Sequence, residues 1–402
     1  MAIKTFSEKA INNGEGILRL APAWVPRSFC RPGKRIKLHP DDYYKLGLER
    51  GGIDERWFAS TTHAENGPLT PDDEGLSYII ADDAGTEKVL LRDAVEHLKS
   101  GLIGETLWNK YAGWPMFSKF FDNMGPLPHH VHHRTEHAAR VGQEGKPEMY
   151  FFPSQLNNHG GEFPYTFFGF NPETTKEEVK KCLEGFTKGD NKLLDISKCY
   201  KLALDTGWDV PPGILHAPGS LCTYEPQFAS DVYAMYQSVL YGGQCVPESL
   251  LWKDTPKEEI GNFDYLVDVM DWEMNIDPDF HRNRFMPPVP VSGMEAMADE
   301  GYMEEWICYK CREVSAKRLT VYPGKTVKIK DNAAYGLIIL QGHGKLGVWD
   351  VETPALINYG QLTNDEFFVS EEAAKSGVVI HNPSSQDPII LLKHFADNPD
   401  LV

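Results

Sequence analysis

Short apolar and aromatic runs separated by turn residues dominate the chain. From about residue 305 the segments KRLTVYPG, TVKIKD, YGLIILQG, KLGVWD, DEFFVS and GVVIH follow one another, each bounded by Gly, Pro or Asn. Strands at such short, regular spacing predict a β-sandwich or jelly roll, because parallel α/β folds need helices between strands. Earlier in the chain, RWFAST (56–61), WPMFSKFFD (114–122) and EFPYTFFGF (162–170) read as strands, the second buried on both faces. DTGWDVPPGILHAPGS (205–220) reads as strand, tight turn and strand. Helical periodicity appears in PDDYYKLGLER (40–50), in LLRDAVEHLKSG (90–101) with Gly101 as its C-cap, and around DNKLLDISKCY (190–200). It also appears in FDYLVDVMDWEMN (263–275) and in NPETTKEEVKKCLEGF (171–186), which opens on an Asn or Thr cap. A Pro-rich break, FMPPVPVSG (285–293), separates two modules. The pattern predicts a mainly β protein. Residues 1–304 form an extended first domain with helical material near 170–200, and 305–402 form a second β domain.

Composition narrows the classes of function. A chain of 402 residues suits two or three domains. Its net charge of −18 argues against a nucleic-acid backbone binder, which needs a basic surface. The start, MAIKTFSEKAINN, lacks the apolar core of a secretory leader, and the run YGLIIL is far too short to span a bilayer. Seven scattered cysteines fit a reducing compartment, so a cytoplasmic protein without membrane or nucleic-acid partners is expected.

The densest chemistry lies in PLPHHVHHRTEHAARVGQEGKPEMYFF. Five of the 14 histidines fall between His129 and His137. Residues two apart on a strand share a face, so His130 and His132 point together, a common way to offer two imidazoles to one metal. Two acids compete to join them. Glu136 lies in a helix-like stretch, whereas Glu148 opens the apolar strand EMYFF, whose geometry is fixed. Three other signals read as structural. Gly342–Gly347 satisfies G-x-G-x-x-G, but a strand follows it instead of a helix, so it is a hairpin. Cys308-x-x-Cys311 has no second cysteine pair and reads as packing, and His343 and His381 stand alone.

This segment resembles the metal-binding region of the type I phosphomannose isomerases, members of the cupin superfamily. His132 falls on the family's histidine, and Lys146-Pro147-Glu148-Met149 repeats its second motif unchanged. The stretch DTGWDVPPGILHAPG resembles the segment carrying the last metal ligand, which places His216 there. Glu225 and Ser230-Asp231 match a later Glu and Ser-Asp. The resemblance implies two cupin barrels, the first holding one divalent metal on His130, His132, Glu148 and His216, the second without a metal set. Zn²⁺ is the metal implied, with Fe²⁺ or Mn²⁺ as alternatives. The implied activity is aldose–ketose isomerisation of a sugar or sugar phosphate through an enediol. Glu225 would then move the proton and Lys146 would stabilise the oxyanion. Two departures stand out. His130 replaces the family's glutamine, and Met235 stands where the family has an arginine. Arg282 and Arg284 are distant candidates to replace that cation, and His129, His133 and Arg134 are candidates for the substrate rim. A cupin oxygenase or epimerase, or a sugar-binding or regulatory protein without turnover, would use the same site.

Overall fold

The computed structural model describes residues 2–81, 85, 87–157 and 163–398. Strands dominate, as expected, and every strand ladder is antiparallel. Four main sheets form two barrels. In the first barrel, a seven-stranded sheet runs Phe285–Met286, Gly207–Val210, Glu148–Phe151, Thr223–Phe228, Met116–Phe121, Gly52–Phe58 and Ala23–Arg27. Facing it is a five-stranded sheet in the order Ser197–Lys201, Tyr165–Phe170, Leu215–Ala217, His130–Val131 and Ala234–Met235. Between them pack Phe121, Tyr150, Phe168, Trp208 and Val210.

The second barrel pairs a seven-stranded sheet with a four-stranded one. The larger runs Ile17–Arg19, Glu366–Val369, Tyr335–Gln341, Ile389–Ala396, Val314–Val321, Tyr302–Cys308 and Val289–Pro290. Its edge strand Ile17–Arg19 comes from the chain's N-terminal part and pairs with Phe367–Val369. The formal glycine motif is the expected hairpin, with His343–Leu346 paired to Trp349–Glu352. Cys308 and Cys311 are buried free thiols, and the second barrel contributes no metal-ligating cluster among the described residues.

The two large sheets stack back to back. In Met116–Phe121 all six residues are buried, because alternate side chains serve two cores. Met116 and Phe120 join Met149, Phe151 and Tyr224 against Ala316, Ile338, Leu392 and Ala396 of the second barrel. Phe117, Lys119 and Phe121 point the other way, into the first barrel. The site is therefore built on a sheet clamped from behind.

Several helical readings change in the structure. Residues 40–50 form two 3₁₀ turns, Pro40–Asp42 and Leu48–Arg50, because Gly47 breaks the run at φ +109°. Helix Leu91–Leu98 ends on Lys99 in the left-handed region, not on Gly101, since a new turn of helix begins at Ser100. The 263–275 segment splits at Met270 into Phe263–Val269 and Trp272–Asn275. Helix Lys176–Glu184 has Thr175 as its cap in a full capping box with Glu178. With Leu193–Ile196 it fills the connection between the paired strands Tyr165–Phe170 and Ser197–Lys201, the expected helical insertion. Glu162, the first residue of the predicted aromatic strand, lies outside the described residues. No helix among the described residues is long and apolar enough to cross a membrane.

Candidate metal centre and cavity

Antiparallel register brings three histidines together. His130 lies opposite His216 in the five-stranded sheet, and His132 follows two residues on. The ring centroids are 4.1 Å apart for His130–His216, 5.1 Å for His130–His132 and 5.0 Å for His132–His216. Among the described residues this is the one such cluster with metal-ligand spacing.

Backbone carbonyls set the tautomers. A carbonyl only accepts, so each Nδ1 facing one must carry the proton. His130 Nδ1 donates to Pro128 (2.9 Å), His132 Nδ1 to Val232 (2.7 Å) and His216 Nδ1 to Ile214 (2.8 Å). All three Nε2 lone pairs are thereby turned to the shared centre, the second-sphere pattern of metal-bound imidazole. Burial, then the charges of neighbouring groups, holds His130 well below its ordinary pKa. Burial, followed by Lys146, pushes His132 down to about 3. Both rings are therefore neutral, as ligation requires.

Glu148 faces the three histidines from the opposite sheet. Its Oε2 lies 3.1 Å from His132 Nε2 and its Oε1 3.1 Å from His216 Nε2. Tyr150, two residues on along the same strand, donates its hydroxyl to Glu148 Oε1 at 2.8 Å. Burial opposes ionisation of Glu148, but Lys146 and His132 outweigh it and hold the carboxyl well below its usual range. His216 Nε2 is buried without a hydrogen-bond partner. Three inward lone pairs, that of His216 otherwise unused, and one carboxylate fit a divalent cation. Glu136 is turned away: it is 61% exposed and pairs with Arg134.

Beside this centre a small cavity of about 40 Å³ opens. His130, His132, Tyr150 and Met235 line it together with a train of alternating charges. Lys146 Nζ is 3.1 Å from Glu148 and 3.6 Å from Glu225. Glu225 is 3.1 Å from Lys119, its cross-strand partner, and Lys119 is 3.5 Å from Glu55. Arg27 bridges Glu55 and Asp231. Burial, then the Glu148 charge, pushes Glu225 up to about 8 against the pull of the two lysines. Lys119 is penalised by burial, yet Glu225 and Glu55 raise its pKa above the ordinary lysine value.

The structure thus gathers His130, His132, Glu148, His216, Lys146 and Glu225, and leaves the other candidates outside. Arg282 is 74% exposed and pairs with Asp279. Arg284, at the end of helix Phe280–Arg284, is held by Asp209 and Met274. Arg134 donates to the backbone of Asp268 and Val269. His129 is tied to Gln237 and Ser197, and His133 is buried, pushed down to about 4 by desolvation. None of these five lines the cavity. The sequence reading passed over Arg27, Glu55 and Lys119. Lys119 carried a signal: a lone charge inside an apolar strand must find buried partners.

No protein-family model matches the sequence, and no curated protein matches it. Solved structures do match. Mannose 6-phosphate isomerase from Bacillus subtilis aligns with a TM-score of 0.60 at 14% identity, covering 94% of this chain and 99% of its own. A mutant of phosphomannose isomerase from Salmonella typhimurium aligns at 0.63 and 13%, covering 95% and 100%. A zinc-bound mannose 6-phosphate isomerase aligns at 0.62 and 13%, with the same coverage. At such identities the likeness establishes the fold. The chain has the two-barrel architecture of the phosphomannose isomerases over nearly its whole length, in line with the resemblance of its motifs.

Proposed function

We propose that this protein is a metal-dependent aldose–ketose isomerase, with Zn²⁺ as its metal, acting on a sugar through an enediol. One observation carries the reading: Glu225, an acid poised near neutral pH, faces the same cavity as His130 and His132, two of the three convergent imidazoles. The zinc in a structural neighbour supports the choice of metal.

His130, His132, His216 and Glu148 would hold the ion. When bound, it supplies Lewis acidity toward a carbonyl oxygen. The rest falls to the chain. Glu225 removes the proton from the carbon beside the carbonyl and returns it to the neighbouring carbon; a carboxylate raised to about 8 does both at modest cost. Lys119 and Lys146 flank Glu225 at 3.1 and 3.6 Å and lie where charge develops on the substrate oxygens. Tyr150 fixes the Glu148 carboxylate.

The test is to strip the protein with a chelator, reload it with Zn²⁺ and screen aldose–ketose pairs and their 6-phosphates. Zn²⁺-dependent interconversion is expected. Oxygen uptake with Fe²⁺ and no isomerisation would transfer the site to oxygenase chemistry.

A further inference from the structure

Whether the sugar carries a phosphate is decided by which donors remain to receive one. A phosphoryl group is held by cationic N–H donors, most often a guanidinium fork. Three cations line the cavity, and each is already engaged. Arg27 has five N–H donors, and five acceptors meet them. Its Nε reaches Glu55 at 3.2 Å, its Nη1 reaches Asn66 at 2.9 Å and Asp231 at 3.2 Å, and its Nη2 reaches Glu55 and Asp231, both at 3.3 Å. Lys119 is held between Glu225 and Glu55, and Lys146 between Glu148, Glu225 and His132. All these groups except Asn66 are buried. Three cations thus share the wall with three carboxylates, Glu55, Glu225 and Asp231, and Met235 adds no charge to it.

Carboxylates only accept hydrogen bonds. Sugar hydroxyls donate to them, whereas a phosphate dianion offers no donor and is repelled. The aromatic walls of Phe29, Tyr150 and Tyr233 suit the apolar faces of a carbohydrate. We infer that the cavity takes an uncharged aldose or ketose and discriminates against its 6-phosphate; this rests on the isomerase reading above. An adjoining depression holds the exposed side chain of Arg31 with Asn123 and Gln244.

The experiment uses the full chain loaded with Zn²⁺ and two readouts. Steady-state kinetics compare mannose and fructose with their 6-phosphates, and calorimetry compares binding of sorbitol with sorbitol 6-phosphate. At least tenfold higher kcat/KM and at least tenfold tighter binding are expected for the uncharged members. Discrimination below tenfold overturns the inference. So does a preference for the phosphates, and its loss in Arg31→Gln would place the phosphate in the adjoining depression. Tighter sorbitol binding without turnover of any sugar would sink the isomerase reading and leave the inference standing. Absence of both turnover and polyol binding would overturn the two together.

Discussion

Glu225 shows how one side chain acquires a role from its surroundings. An exposed glutamate would be a weak base, but here burial and Glu148 raise it to about 8 while two lysines keep it within reach of ionisation. As a base it works deprotonated, so kcat should rise with pH along a limb at or below about 8, the charge of a bound metal lowering it further. Glu225→Gln should lose that limb and about 10²–10⁴ in kcat with metal content unchanged. A variant that keeps the wild-type profile would remove Glu225 from the proton transfer. Met235 is the complementary case. It lies opposite His130 in the sheet and faces the cavity. Met235→Arg adds a cation not already held by a carboxylate and should shift the ratio of kcat/KM between free and phosphorylated sugar about tenfold toward the phosphate. An unchanged ratio in a folded variant would show that position 235 does not meet the substrate.

At the scale of elements, the strand Leu215–Ala217 places His216 only because the turn before it is pinned. Gly213 turns at φ +88°, where an added Cβ would sit 2.8 Å from the Asp271 nitrogen. Asn275, at the end of helix Trp272–Asn275, accepts from the Leu215 N–H at 2.8 Å. It donates to the carbonyls of Gly213 and Asp271, both at 2.7 Å. Asn275→Ala leaves buried backbone groups unpaired and should cost about 2–4 kcal/mol of stability. It should also weaken Zn²⁺ binding by about 10–100-fold, because the ligand strand loses its anchor. Denaturant unfolding and competition with a chelating dye measure the two effects separately. A stability loss with unchanged zinc affinity would limit Asn275 to a structural role.

The whole molecule depends on the contact between barrels, where His394 is the polar hinge-pin. It accepts or donates at Nδ1 with Ser118 (2.8 Å) and Tyr224 (3.0 Å) of the first barrel, and Gly336 leaves it room. Burial pushes it down to about 3. The unfolded ring titrates near 6.5, so the unfolded state binds the proton first. The contribution is complete above about pH 6.5 and is lost as pH falls toward 3, at up to about 1.4 kcal/mol per pH unit. Unfolding free energies between pH 4 and 7.5 should fall on the acid side, less steeply in His394→Gln; equal slopes would exclude this ring as the cause. The shared core carries a second expectation. Removing 305–402 strips the partners of Ile17–Arg19, leaves Arg56 without Asp365 and Glu366, and exposes the back of the large sheet. The fragment should aggregate, and a soluble, cooperatively folding 1–304 would refute that.

What the amino-acid order determined alone was local or carried by contiguous motifs. Strand alternation is a property of two neighbouring peptide units, so His130 and His132 were legible as a pair. The hairpin at 343–352, an Asn or Thr cap opening the helix within 171–186 and the β texture beyond 305 were legible for the same reason. Glu148 and His216 were reached through the resemblance of their flanking motifs. Tertiary structure alone decided which distant charges meet. Arg27 and Asp231 are 204 positions apart, and Arg56 and Asp365 are 309 apart. Arg282 and Arg284, plausible by charge, end on the outer side. A buried charge takes whichever partner the register of the sheets brings opposite it, and register is set by the closing of two barrels around their cores. No periodicity along the chain encodes that closure, so the acids and cations lining the cavity emerge only once the sheets are paired.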